Sequence, residues 1–178
     1  MNSINENTVP SLDDPCGANF VYRHLIECGD TVANSGVDNS PQSPDSYTAL
    51  RSLAVNILDP VIDRFGTIEL TYGFCSSNLK KLITKRIAPD LDQHAAHEMN
   101  RTGKHICNRL GAAVDFLVRN EDMFEVAEWV YSKTPIDRLY FYDSNKPIHV
   151  SHGPQNSHVA YELKLSPGGK RVPRKLKL

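Results

Sequence analysis

The chain has 178 residues, 40% hydrophobic and 23% charged, with 20 basic against 21 acidic side chains. Those values fit one ordinary globular domain and exclude a repeat array, a fibrous protein or a mostly disordered chain. The near-neutral total hides an asymmetry, because Lys164, Lys170, Arg171, Arg174, Lys175 and Lys177 close the chain with no acid among them, leaving 14 basic and 21 acidic residues in positions 1–163; where charge sits therefore says more about partners than the pI does.

Residues 1–17 are rich in Asn, Ser, Asp and Pro and read as a flexible N-terminal arm. Met1–Asp14 has neither a basic n-region nor an apolar h-region. No apolar run reaches the roughly 18 to 20 residues of a membrane-spanning helix. A cytoplasmic chain with no membrane partner is the expectation. A short element near Phe20–Cys28 precedes a polar loop, Asn34–Asp45, with two prolines and a glycine. The first long helix follows, capped by Asp45 or Ser46, with Leu50, Leu53, Ala54, Ile57, Val61, Ile62 and Phe65 at helical spacing. Pro60 predicts a kink or restart in it, and Gly66 a stop. Thr67–Gly73 reads as a half-buried strand with Ile68, Leu70 and Tyr72 on one face. Ser76 caps a second helix over Ser77–Arg86, and a polar segment runs from Pro89 to about Arg109.

Gly111–Val118 reads as a buried strand, and a third helix, capped by Asn120, covers Glu121–Lys133. Asp137–Tyr142 and Pro147–Ser151 form two strands joined by a turn-like Asp-Ser-Asn-Lys, which fits a hairpin. Val159–Leu165 adds an edge strand, and 166–178, with two prolines and two glycines, reads as a basic, flexible tail. The tally predicts an α+β fold, a small mainly antiparallel sheet packed against two or three helices in a single domain over 18–165. Without aromatic residues of its own, the tail fits only weak, non-specific contact with nucleic-acid phosphates.

Three features carry potential chemistry: Gln93-His94-Ala95-Ala96-His97-Glu98, Asp115 inside an apolar strand, and Ile148-His149-Val150-Ser151-His152. A carboxylate in a buried strand costs several kcal/mol unless it is paired, hydrogen-bonded or bound to a cation. Two imidazoles and a carboxylate make an N/O donor set suited to Zn²⁺, and three protein ligands with an open fourth position is the catalytic arrangement. The plain alternatives are surface histidines at 94 and 97 and an Asp115 paired with Arg109 or Arg138. Strand alternation puts His149 and Ser151 on one face and His152 on the other, so at most one of these two histidines points into a site. The four cysteines, Cys16, Cys28, Cys75 and Cys107, form no Cys-x-x-Cys pair and read as free thiols.

Taken in order, Leu70-Thr71-Tyr72-Gly73-Phe74-Cys75-Ser76, Asp92-Gln93-His94, Gly111-Ala112-Ala113-Val114-Asp115-Phe116, Ile136-Asp137-Arg138-Leu139 and Ile148-His149-Val150-Ser151 resemble the core of the D-alanyl-D-alanine carboxypeptidase and hedgehog-like zinc peptidases. The resemblance implies His94, Asp115 and His149 as zinc ligands, and an inserted loop between His94 and Gly111. It places the family's general-base glutamate on Tyr142, leaving Asp143 and Glu98 as candidate bases. It places the family's substrate-gripping arginine on Cys75, which leaves Arg86 or Arg138 for that role, with His97 and His152 as further substrate contacts; Cys75 as a nucleophile is a rival reading. The expected function is a zinc-dependent, hydrolase-like domain acting on a peptide or other amide bond. The alternative is a non-catalytic, zinc-stabilised module that binds a protein or nucleic-acid partner.

Overall fold

The structure, a computed structural model, describes residues 9–83, 92–169 and 171–178. It is an α+β fold. Six strands, β1 (Ile68–Tyr72), β2 (Ala112–Val118), β3 (Arg138–Phe141), β4 (Ile148–His152), β5 (Val159–Leu165) and β6 (Arg171–Lys175), form one sheet in the order β1-β2-β4-β3-β5-β6. All neighbours are antiparallel except β3 and β5. The helices are α1 (Tyr22–Ile26), α2 (Asp30–Ser35), α3 (Pro44–Leu53), α4 (Asp59–Phe65), α5 (Ser77–Leu82) and α6 (Met123–Lys133). Among the described residues no helix is long and apolar enough to cross a membrane.

Strand parity decides which side chains meet the helices. Ala112, Val114, Phe116 and Val118 of β2, Ile148 and Val150 of β4, and Leu139 and Phe141 of β3 join one core with Leu50, Leu53, Ile57 and Leu58 from the α3 region and Val126, Ala127 and Val130 of α6. Their neighbours in sequence, Asp115, His149 and Tyr140, therefore lie on the opposite face. The break expected at Pro60 is real. Proline lacks the N–H that would continue the helix, and a π-helical turn, Ala54–Leu58, absorbs the loss before α4 restarts with Pro60 in its first turn. α6 begins two residues later than expected, capped by Asp122, whose carboxylate accepts from the Phe124 N–H; Asn120 instead sits in a left-handed turn.

Three expectations are corrected. The arm is not loose over 9–17: Cys16 is fully buried, Pro15 bridges Val21, and Arg23 N–H donates to the Leu12 carbonyl. Just beyond it, the Asp59 carboxylate accepts the backbone N–H groups of Ala18 and Asn19 and ties the end of the segment to α4. The tail is not free, since Arg171–Lys175 pairs with β5 as β6 and makes β5 an interior strand. Tyr72 does not share a face with Leu70. Leu70 pairs with Phe116 and Tyr72 with Asp115, so Thr71 is an extra residue in β1, and the bulge turns Tyr72 to the far face.

Candidate metal centre

Asp115 and His149 are cross-strand partners at the middle of β2 and β4. His94 arrives from a three-residue 3-10 turn, Gln93–Ala95, that ends with Ala96 in an unusual positive-φ conformation. The three side chains converge: His149 Nδ1 lies 2.9 Å from Asp115 Oδ1, His94 Nε2 lies 3.3 Å from the same oxygen, and the two imidazole nitrogens are 3.1 Å apart. Zinc bonds of about 2.0 to 2.1 Å in a tetrahedron separate neighbouring ligand atoms by about 3.3 Å. The observed triangle has nearly that size, so His94, Asp115 and His149 form a group that could hold a metal ion. The donor set fits Zn²⁺ chemically: two borderline nitrogens and one hard oxygen.

The surroundings orient the donors. His94 Nδ1 lies 2.8 Å from the Gly73 carbonyl, so this nitrogen carries the proton and Nε2 presents its lone pair to the cluster. Gly73 is required there, because a Cβ at this position would lie 2.1 Å from the Leu25 carbonyl oxygen. Tyr140 stacks on His149 with ring centroids 4.9 Å apart, and Tyr72, redirected by the bulge, lies 4.3 Å from His94. Burial disfavours charge on Asp115, but the adjacent His94 and His149 outweigh it and hold the carboxyl well below the usual range. Asp115 keeps 25% of its side-chain surface exposed against 6% for His94 and 10% for His149, so the centre opens to solvent on the Asp115 side.

A buried polar frame joins the elements behind the cluster. Gln93 donates to the Leu110 carbonyl and to Asp137 Oδ2, and accepts from the Ser151 hydroxyl. One side chain thus links the turn that carries His94 to β4 and to the start of β3. The inserted loop does not spoil convergence because its ends meet: Gly111 N–H donates to His97 Nε2 at 3.2 Å, and Ile106 N–H to the Glu98 carbonyl.

The other predicted residues lie elsewhere. Glu98 is buried, but its carboxylate accepts from the backbone N–H groups of Gln42 and Ser43 and from the Ser46 hydroxyl, which satisfies donors at the start of α3. It is a helix cap rather than a base at the cluster. Asp143 faces Lys146 at 4.0 Å and is half exposed. His97 closes the loop as described, and burial lowers its pKa. His152 points to the Pro135 carbonyl at 2.7 Å, on the face opposite His149, as alternation requires. Arg138 shares the face of Tyr140 but reaches Gln155. Arg86 lies outside the described residues. Cys75 is no nucleophile: its thiol is buried with Val32 and Leu79, and burial pushes its pKa up to about 12.

Tyr142 lies within electrostatic reach of Asp115. It follows β3 on the Tyr140 side, with the Arg171 guanidinium 5.0 Å above its ring. Burial, and then the negative charge of Asp115, raise its pKa, so the phenol is a donor at neutral pH and not a base. Residues around the cluster that sequence reasoning missed are Tyr72, Gly73, Gln93 and Tyr140. Parity could have found Tyr140; the others depend on a bulge or on long-range contacts. Comparison with protein-family models, with curated proteins and with solved structures finds no match.

Proposed function

We propose that this chain is a zinc-dependent, hydrolase-like domain of the D-alanyl-D-alanine carboxypeptidase and hedgehog-like type, acting on a peptide or other amide bond. The observation that carries the reading is the triangle of His94 Nε2, Asp115 Oδ1 and His149 Nδ1, assembled from three separate elements and with the His94 tautomer set by Gly73. Zinc at such a centre lowers the pKa of a bound water to about 7 and polarises a carbonyl oxygen. Asp115, His94 and His149 would hold the cation, which would supply Lewis-acid activation of water or substrate. The protonated phenol of Tyr142 supplies a hydrogen bond to a developing oxyanion, the role of preorganised donors in acyl transfer.

One observation favours a second reading, a metal-stabilised binding module without turnover. Neither candidate carboxylate base is in the cluster, with Glu98 committed to α3 and Asp143 to the surface. Metal analysis and amide hydrolysis on the purified chain separate the two. One zinc per chain, lost in His149→Ala, together with cleavage of at least one member of a peptide amide library, is expected. Zinc without cleavage moves the assignment to the second reading, and wild-type protein without zinc removes both.

A further inference from the structure

The register of the sheet continues past the metal centre. Tyr72 pairs with Asp115, Asp115 with His149, His149 with Tyr140, Tyr140 with Tyr161, and Tyr161 with Lys175. One cross-strand row therefore crosses all six strands on the face away from the helices, with two metal-ligating side chains flanked by tyrosines and a lysine at its end. On the β6 side the rings are graded: Tyr140 stacks on His149 at 4.9 Å, and Tyr161 lies 5.9 Å from Tyr140, tilted by 38°. Tyr161 is only partly buried, and Lys175 is exposed. Arg171 lies on the same face, over Tyr142, so the positive charge at this end comes from two residues of β6.

We propose that Tyr140, Tyr161 and Lys175 form the subsite that chooses the substrate, and that it takes a peptide bearing an aromatic side chain followed, two residues on, by an acidic one. The inference rests on the amide reading above and adds the substrate class. Strands spaced by about 4.8 Å put Tyr140 one spacing from His149, Tyr161 two, and Lys175 three, about 14 Å away. An extended peptide covers about 3.4 Å per residue. A ring over the gap between Tyr140 and Tyr161 thus leaves two residues to reach Lys175. The rings supply flat apolar area for edge or offset contact with an aromatic side chain. The cationic end, set in a chain whose body is acidic, selects the sign of the second group.

Isothermal titration of the zinc-loaded full chain tests this with three probes: acetyl-Gly-Gly-Phe-Gly-Asp amide, its Leu-for-Phe analogue and its Asn-for-Asp analogue. The expected preference is about 3- to 10-fold for Phe over Leu, the range of an aromatic pair. For Asp over Asn it is about 2- to 5-fold, the range of an exposed ion pair. Tyr161→Ala erases only the first preference and Tyr161→Phe keeps it. Lys175→Glu erases the second and transfers it to a Lys-bearing probe, a gain that a misfolded variant cannot give. Equal affinity for the three probes, or preferences that survive both Tyr161→Ala and Lys175→Glu, overturns the proposal. Because the readout is binding, selective binding without cleavage counts against hydrolysis and for the subsite, whereas cleavage of all three probes at one rate with no binding preference counts against the subsite alone.

Discussion

Asp115, partly open to solvent at the middle of β2, and Asp137, fully buried just before β3, are two inward carboxylates whose partners differ in kind. Asp137 is fully buried and accepts from Gln93 Nε2, the Ser157 N–H and the Ser157 hydroxyl, donors that do not titrate. Asp115 meets two imidazoles, whose ring nitrogens can give up a proton and take a cation instead. A buried carboxylate is thus not by itself a sign of a reactive centre; the chemistry of what compensates it decides. Asp137, like Glu98 at the start of α3, is closed by the chain's own neutral groups. Asp115 is closed by imidazoles, groups that can exchange.

The largest effect that would break this contrast is on the metal. Asp115→Asn should lower zinc affinity by more than the 10- to 100-fold typical of outer partners, about 100-fold or more, by competition with a chromogenic chelator. A variant that binds zinc as tightly as wild type would put Asp115 in the same class as Asp137. Next in size, Asp137→Asn should leave one zinc per chain and cost about 2 kcal/mol in urea unfolding, since an amide nitrogen then faces the Gln93 donor. Its pH dependence has a definite sign. Burial would raise the Asp137 pKa, but the Ser157 and Gln93 hydrogen bonds outweigh it and hold it below the usual carboxylate range. The stabilisation is therefore complete above the unfolded pKa near about 3.9 and lost as pH falls through the folded value. Wild-type stability should decline more steeply on the acid side than that of Asp137→Asn, and parallel declines would show that Asp137 contributes nothing to linkage. The smallest effect belongs to Glu98→Gln, about 1 kcal/mol lost because a neutral oxygen caps α3 less well than a carboxylate. Unchanged stability with abolished turnover would return Glu98 to the role of base.

Period-two alternation was enough to put His149 and Ser151 on one face and His152 on the other, because parity along a strand is a local property. The α3 break at Pro60 and the hairpin of β3 and β4 were legible for the same reason. Three things were not. The Thr71 bulge flips Tyr72 without any change in composition. Glu98 looks like a base until its partners, more than 50 residues upstream, are in place. The cationic tail carries prolines and glycines that signal a free end, yet its strand is selected by pairing with β5, which no pattern inside the tail records.

The three candidate metal ligands stand on supports of unequal firmness. Asp115 and His149 are on strands paired on both sides, whereas His94 is on a three-residue turn held by Gln93, by its own Nδ1 contact to Gly73, and by the Cys75 N–H donating to its carbonyl. Local opening follows the weakest support and not the global unfolding free energy. Exchange of a bound ion is therefore timed by the turn: its rate should be nearly independent of mild denaturant, while the strand amides beneath it exchange only when the whole sheet comes apart.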